Sequence, residues 1–381
     1  MPFLKKMLTA GALAGGAVAA GTAALRHPVF GAAPTGDRLA RMKRSPQWRD
    51  GRFQNAEPGG VGGSAASMWE FVTANRSLRR PAEPVATVPR TAADFAEPQD
   101  LRVTWLGHST ALLEVEGHRL LTDPVWNSAS PFPFGVPRFY DVPLALEDLP
   151  DLDAVLLTHD HYDHLDYRTV RALAPRVPRW IVPLGVGAHL ERWGVPAERV
   201  TELDWWEEAT VGDVGVVATP SRHFSGRTLT DRNRTLWCGW AVVGRERKVW
   251  VSGDGGMTAA FAEVGRRLGP FDVSLVEAGA YNQAWANIHM GPEQAVRAHQ
   301  MARAELLIPI HWGTFDLSLH GWTEPAERVL AAAERAGVSV AVPRPGQSVE
   351  PQDAPAVERW WPELPWQSAE EAPVVSSGVP V

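Results

Sequence analysis

The sequence has almost no cysteine, and this scarcity limits the kinds of site it can build. Cys238 is the single cysteine among 381 residues. One cysteine excludes an intrachain disulfide and a zinc site made from several thiolates. The apolar neighbours of Cys238 in "RTLWCGWAVV" indicate a buried structural thiol. A metal site in this chain is therefore expected to use imidazole and carboxylate groups.

The chain also lacks a strong excess of either charge. It carries 44 acidic and 37 basic residues, a net charge of −7, without long runs of one sign. Nothing in this balance indicates a nucleic-acid surface, and we expect no nucleic-acid partner. With 45% hydrophobic residues, the chain can bury a substantial core as one large domain or two ordinary ones.

Charge is absent altogether from a stretch near the N-terminus. Lys5 and Lys6 precede 19 uncharged residues at positions 7–25, and Arg26 follows. This pattern is typical of a signal peptide or an N-terminal membrane anchor over residues 1–26. We expect a protein that is exported or membrane-anchored outside the cytoplasm, with a membrane surface among its partners. Cleavage of the segment stays open, and a cytosolic protein with an Ala-rich leader is the alternative.

Three further regions follow this segment. Residues 27–98 are rich in Pro, Arg, Gly and Ala and are expected to be an extension with a short helix near "ASMWEFVTAN". Residues 99–349 alternate strand and helix patterns, with a hairpin turn at Glu116 and Gly117, and form the expected catalytic domain. Residues 350–381 are rich in Pro and acidic residues and are expected to lie over the surface or to be disordered.

The segment "LLTHDHYDHLD", residues 156–166, holds three histidines and three aspartates within eight consecutive positions. It follows the β-rich run "DAVLLT". Side chains two apart in an extended stretch point the same way, so His159 and His161 can bind one ion together. Asp163 and His164 follow where the chain turns into a helix and can serve a second ion.

Three more candidate ligands follow later strands of the expected sheet, at His223, Asp254 and His311. Each histidine could complete one metal shell, and Asp254, flanked by glycines in "VSGDGG", could bridge two ions. A ligand set of imidazole and carboxylate suits two Zn²⁺, with Fe or Mn as alternatives. Two ions roughly 3.5–4 Å apart can bind one hydroxide and polarise an ester or phosphate oxygen.

The segment "THDHYDHLD" resembles the signature of the metallo-β-lactamase superfamily, and His223, Asp254 and His311 follow in that superfamily's order. The resemblance covers about residues 100–348 and implies an α+β, four-layer αββα sandwich with a dimetal site at its edge. "WLGHSTALLEVEGHRLLTDPVW", "NIHMGPEQAV" and "IPIHWGTF" are similar to the N-acyl phosphatidylethanolamine phospholipase D group and its bacterial relatives. That similarity implies hydrolysis of a phosphodiester by a metal-bridging hydroxide.

The resemblance also implies a role for each residue of the site. One zinc would be bound by His159, His161 and His223, the other by Asp163, His164 and His311, with Asp254 bridging them. His289, in "ANIHMGP", corresponds to a histidine that holds a substrate oxygen or donates a proton; a helix-capping histidine is the alternative. Tyr162 and Trp312 flank ligands and are candidates for substrate contact or core packing. His108 and Asp123 are expected to support the ligands by hydrogen bonds.

The resemblance implies, as the leading function, a zinc-dependent phosphodiesterase with an N-acyl phosphatidylethanolamine-type phospholipid as substrate. A dimetal lactonase or carboxylic ester hydrolase of the sugar-lactone type is the first alternative. A non-catalytic, zinc-binding secreted protein is the second. A redox di-iron protein is disfavoured, because such relatives carry Glu at the position of His161. The sequence leaves the oligomeric state open.

Overall fold

The computed structural model describes residues 27–57, 77–130 and 135–379. The uncharged N-terminal segment and the helix expected near "ASMWEFVTAN" lie outside these residues. Within the described ranges, no helix has both the length and the apolar character required to cross a bilayer. A short ribbon, β1 (Trp48–Arg49) and β2 (Arg52–Phe53), precedes two larger sheets.

The first large sheet takes its strands from the beginning and the very end of the catalytic domain. Its strands are β3 (Leu101–Gly107), β4 (Thr110–Val115), β5 (His118–Thr122), β6 (Ala154–Leu156), β7 (Trp180–Pro183), β8 (Val200–Leu203) and β16 (Ser348–Val349). Their order is β16-β3-β4-β5-β6-β7-β8, and pairing is parallel from β5 to β8.

The second sheet holds the middle of the chain. Its strands are β9 (Glu208–Val211), β10 (Val214–Thr219), β11 (Gly239–Val243), β12 (Lys248–Val251), β13 (Phe271–Glu277), β14 (Ala304–Ile310) and β15 (Ser339–Val340). Their order is β15-β14-β13-β12-β11-β10-β9, and β12 to β15 are parallel. Parallel strands end at the same edge of a sheet, so the loops that follow β12 and β14 meet there.

Six α-helices lie in the described part of the chain: α1 (Gly36–Met42), α2 (Tyr167–Leu173), α3 (Gly187–Arg192), α4 (Ala260–Arg267), α5 (Pro292–Ala302) and α6 (Glu324–Ala336). Helix α2 begins where Asp166 accepts hydrogen bonds from the backbone N–H groups of Arg168 and Thr169. Helix α6 ends at Gly337, whose φ of 64° suits a residue without a Cβ.

Apolar side chains form one layer between the sheets and one on each outer face. Trp105 and Leu113 of the first sheet and Trp240 of the second belong to the central cluster. A second cluster joins the first sheet to α2 and α3, and a third joins the second sheet to α4, α5 and α6. The architecture is therefore the four-layer αββα sandwich that the resemblance implied.

Each sheet is covered by the other sheet on one face and by helices on the other, so its central strands are buried on both faces. Strands β4 and β10 are buried at every position. The expected hairpin is confirmed, with β4 and β5 paired across Glu116 and Gly117, whose φ angles are 48° and 85°. The sequence did not separate β3 from β4, which divide at a tight turn containing His108, with φ 54°.

The segments on either side of the sandwich pack against it. In the N-terminal segment, Arg38 pairs with Glu191 and Glu202. In the C-terminal tail, Trp361 is buried in the central cluster, and Ser376 is buried near the loop that precedes α5. The tail between residues 350 and 379 therefore lies over the domain rather than apart from it.

Candidate metal centre

The candidate ligands meet at one edge of the sandwich because each follows a strand that ends there. The segment 159–164 follows β6, and His223 lies four residues after β10. Asp254 lies three residues after β12, and His311 follows β14 directly. All seven residues proposed from the sequence come together: His159, His161, Asp163, His164, His223, Asp254 and His311.

Three histidines form the first group. His161 Nδ1 lies 2.8 Å from His159 Nε2 and 3.2 Å from His223 Nε2. Ring nitrogens that converge at such distances can share one cation. His159 and His223 are buried, whereas His161 is partly exposed on the solvent side of the group.

A second group is formed by Asp163, His164 and His311. Asp163 Oδ2 lies 3.6 Å from the Nε2 atoms of both His164 and His311. The two histidines are buried, and Asp163 is partly exposed. One carboxylate oxygen and two ring nitrogens are a suitable set for a divalent metal.

Asp254 lies between the two groups. Its Oδ2 is 2.9 Å from His311 Nε2 and 3.1 Å from His164 Nε2. The same oxygen is 4.0 Å from His159 Nε2 and 3.9 Å from His223 Nε2. A single buried carboxylate thus faces ligands of both groups, which is the position required of a bridging ligand.

The hydrogen bonding of the cluster tests whether these residues fit a metal. Four buried atoms make no hydrogen bond to the described residues: Asp254 Oδ1, His164 Nε2, and both ring nitrogens of His311. Buried polar atoms without partners each cost roughly 1–3 kcal/mol. The convergence of the His164 and His311 Nε2 atoms on Asp254 fits a cation bound in place of hydrogen-bond donors.

The protonation of the first group also suits metal binding. Burial, together with the neighbouring imidazoles, holds the pKa values of His159 and His223 well below the ordinary range. Burial lowers the pKa of His161 to about 4. These rings are therefore neutral near pH 7, and a neutral imidazole has the free lone pair that a metal requires.

In the second group, the pKa of a buried histidine is raised rather than lowered. Although burial opposes it, His164 and His311 hold the pKa of Asp254 well below its usual range. Burial likewise opposes the rise in the pKa of His164, but Asp254, Asp163 and Asp123 raise it well above the ordinary value. The carboxylates therefore attract positive charge to this position, which a metal cation can supply in place of protons.

A layer of hydrogen bonds behind the ligands fixes their ring orientations. Asp123 Oδ2 lies 2.8 Å from His164 Nδ1 and also accepts from the Thr158 hydroxyl. His108 Nε2 lies 3.0 Å from Asp163 Oδ2, and the Ile288 carbonyl is 2.8 Å from His223 Nδ1. Such outer partners hold a metal ligand in one tautomer and one orientation.

His289 differs from the ligands in its exposure and in its partner. Its side chain is 15% exposed, and its Nδ1 lies 3.0 Å from Glu277 Oε2 and 3.9 Å from Asp254 Oδ2. Its position beside the bridging carboxylate, facing solvent, allows contact with a substrate oxygen.

Sequence reasoning missed Glu277, which is fully buried at the end of β13. Glu277 Oε1 accepts hydrogen bonds from the N–H groups of Gly255 and Met290, at 2.8 and 3.1 Å. This carboxylate therefore ties the Asp254 loop to the His289 loop. A polar residue at the end of the apolar run "DVSLVE" was the available signal, since the other ligands follow strands in the same way.

The two aromatic residues proposed as substrate contacts have different surroundings. Tyr162 is partly exposed, donates its hydroxyl to the Arg227 carbonyl, and lines a cavity of about 600 Å³. Trp312 is buried, with its ring stacked 5.9 Å from Trp105. Trp360 of the tail packs against it with ring centroids 5.4 Å apart, which favours the core-packing alternative for Trp312.

Comparison with known proteins agrees with this geometry. Residues 118–312 match the family model described as a beta-lactamase superfamily domain. The chain belongs to the metallo-β-lactamase superfamily. It is 48% identical over 336 residues to an uncharacterized protein of Mycobacterium tuberculosis, covering 84% of this chain and 89% of that one.

A further relative carries a functional name. The N-acyl-phosphatidylethanolamine-hydrolyzing phospholipase D 1 of Caenorhabditis elegans is 39% identical over 254 residues, covering 63% of this chain and 71% of that protein. Among solved structures, Igni18, a metallo hydrolase from Ignicoccus hospitalis, superposes with a TM-score of 0.51 at 23% identity. That match covers 65% of this chain and 97% of Igni18, and it shows the fold. The protein is a metal-dependent hydrolase of this superfamily.

Proposed function

We propose that the protein hydrolyses a phosphodiester at a dinuclear zinc centre, and that its substrate is a phospholipid of the N-acyl phosphatidylethanolamine type. The observation that carries the proposal is the position of Asp254, whose Oδ2 lies within 4.0 Å of ring nitrogens from both ligand groups. Two relatives, from Caenorhabditis elegans and Saccharomyces cerevisiae, are named as phospholipases D that hydrolyse this lipid class, and both support the choice of substrate.

Each group of residues has a separate task in this reaction. The two ligand groups hold the metals on either side of Asp254, and Asp123 and His108 keep the ligands oriented. When bound, a pair of zinc ions supplies an activated water and polarises the phosphate oxygens. His289, held by Glu277, contacts a substrate oxygen and donates a proton or hydrogen bond there.

One side of the candidate metal centre is accessible to solvent, and substrate would enter from that side. His161, Asp163 and His289 are partly exposed, whereas the remaining ligands are buried. A substrate phosphate that arrives from this side meets the partly exposed members of both ligand groups and His289 together. The buried ligands behind them exclude water from the far side of the centre.

The test compares two ester classes on the same metal-loaded enzyme. The full chain is purified with zinc and assayed on bis(p-nitrophenyl) phosphate, on vesicles containing N-acyl phosphatidylethanolamine, and on a chromogenic lactone. We expect turnover of both phosphodiesters and its loss in His161→Ala, but not in the matched variant His118→Ala, whose histidine pairs with Asp213 on the protein surface. Turnover of the lactone alone would refute the proposal in favour of a lactonase.

A further inference from the structure

The loop of residues 226–233, which follows the ligand His223, is fixed at its base to the histidine-rich segment. The N–H of Gly226 donates to Asp160 Oδ1 at 2.7 Å. The Arg227 guanidinium donates to the carbonyls of Asp160 and Leu165, at 2.6 and 2.9 Å. Asp160 lies between two candidate ligands in the sequence, so this loop is tied directly to the segment that carries them.

The tip of the loop presents a fully exposed leucine. Leu229 has a relative exposure of 104%, while the other exposed large hydrophobic side chains among the described residues reach 45% at most. A single exposed leucine is common on protein surfaces. Whether Leu229 belongs to a functional surface therefore depends on the groups around it and on its distance from the mouth of the site.

Arg232 belongs to the same loop, three residues after Leu229, and Arg52 lies near Arg232. The Arg232 guanidinium lies 4.2 Å over the Phe224 ring, and that ring is 4.4 Å from the ring of His161. Arg52, in β2, is close enough to contribute, after burial, to lowering the pKa of Arg232. In the described part of the chain, neither arginine forms an ion pair.

The acidic residue of the loop does not neutralise them. Asp231 Oδ1 accepts hydrogen bonds from the N–H groups of Arg227 and Thr228, at 3.1 and 2.8 Å, and this turns it toward the loop's own backbone. The β1–β2 ribbon is joined to the loop where the Phe53 N–H donates to the Asn233 carbonyl at 2.9 Å. Leucine and arginines therefore belong to one connected surface.

The N-terminal end of the described chain reaches the same place. The Val29 carbonyl accepts two hydrogen bonds from the Arg227 guanidinium, at 3.1 and 2.9 Å. The described chain thus begins beside the base of the 226–233 loop, and the segment 7–25 that the sequence predicts to be a signal or anchor precedes it in the sequence. A membrane that held this segment would lie next to the loop.

We propose that the 226–233 loop and Arg52 form a lipid-contacting surface that seats the mouth of the metal centre on an anionic phospholipid bilayer. Leu229 enters the boundary between head groups and acyl chains, and the arginines contact lipid phosphates. The inference rests on the proposed function, since it names the partner from which that site takes its substrate.

The test measures binding without turnover. The full-length, metal-loaded chain is sedimented with vesicles of phosphatidylcholine alone or mixed with phosphatidylglycerol, neither containing N-acyl phosphatidylethanolamine. We expect stronger binding to the anionic vesicles, weakened by salt. Leu229→Asp is expected to lower the partition coefficient about tenfold, and Arg52→Gln and Arg232→Gln about fivefold each.

Matched variants control for general surface effects. Val357→Asp changes another exposed apolar residue, and Arg245→Gln removes an exposed arginine in the turn between β11 and β12; both are expected to bind like the wild type. Melting temperature and metal content show whether each variant is folded. The proposal would be overturned if the Leu229 and arginine variants bound as well as the wild type, or if the wild type showed no preference for anionic vesicles.

The lipid-contact proposal and the proposed function can fail independently. If the protein does not hydrolyse phosphodiesters, its sedimentation with vesicles is unaffected. If it does not sediment with vesicles, its turnover of the soluble ester is unaffected.

Discussion

Two buried clusters of histidine and aspartate both include residues of the segment 156–166. The polar atoms of the two clusters find their partners in different ways. In one cluster, Asp160 Oδ1 accepts from Gly226 N–H, and its Oδ2 accepts from the Thr235 hydroxyl, both at 2.7 Å. His189 Nε2 lies 3.3 Å from the same Oδ2, while His189 Nδ1 accepts from the Ala32 N–H at 3.0 Å. In the other cluster, Asp254 and His311 retain buried atoms without hydrogen bonds to the described residues.

The difference shows that residue type and burial do not by themselves define a metal site. Both clusters contain buried imidazole and carboxylate groups. Around Asp160, backbone and hydroxyl donors satisfy the carboxylate, so the pair can be stable without a cation. Around Asp254, the neighbouring groups are themselves ligand atoms, and a cation is required to satisfy them together.

Neutralising Asp254 or Asp160 without changing its size should separate the two clusters most strongly. Asp254→Asn is expected to lower phosphodiester turnover about a thousandfold or more, because metal-based stabilisation of the transition state is worth several kcal/mol. Metal content per chain should fall as well. Turnover and metal content are measured on the same preparation, and an Asp254→Asn enzyme with full activity and full metal would contradict the assignment.

The next largest effect separates a substrate-contacting group from a ligand. His289→Gln is expected to lower turnover about a hundredfold while both metals stay bound, because His289 is more exposed than the buried ligands and is held by Glu277. Kinetics and elemental analysis of the variant check this together. Loss of one metal from His289→Gln would instead place His289 among the ligands.

Much of the site could be predicted because its signal is local. His159, His161, Asp163 and His164 lie within six residues, directly after an apolar strand, so spacing alone indicates their shared function. Most strands and helices of the sandwich could also be predicted, because their apolar periodicities are regular.

The rest depends on contacts between distant parts of the chain. Nothing near Trp312 in the sequence indicates that Trp360, from the C-terminal tail, covers it. Asp160 stands between two ligands but faces Thr235 and His189, which lie far along the chain. Glu277 has no histidine beside it in the sequence, and only the fold brings it to His289.

The Asp160 cluster predicts a loss of stability rather than of metal. Asp160→Asn is expected to lower the free energy of unfolding by about 2 kcal/mol, since an amide cannot accept all three hydrogen bonds. Although burial opposes it, the hydrogen bond from His189 is a cause of the low pKa of Asp160, so the native group is charged. Urea unfolding of the zinc-loaded variant, alongside elemental analysis, measures both quantities. A variant that kept its stability but lost its metals would reverse the roles of the two clusters.

The smallest effect is expected for a partly exposed histidine that pairs with two exposed aspartates. His118 Nε2 lies 2.8 Å from Asp213, and its Nδ1 lies 3.6 Å from Asp153, with both carboxylates exposed. His118→Ala should change the free energy of unfolding by no more than about 0.5 kcal/mol, because solvent screens such pairs. Thermal unfolding of the variant beside the wild type checks this, and a large loss of stability would mean that exposure does not separate these clusters.

The most direct test of the metal centre is to count metal ions in the purified full-length chain and to follow its melting temperature before and after chelation. We expect two divalent ions per folded chain. The melting temperature should fall when they are removed and recover when zinc is restored, because bound metal stabilises the native state by mass action. A folded chain that contains no metal, and whose melting temperature is unaffected by chelator and by zinc, would contradict the assignment of a metal centre.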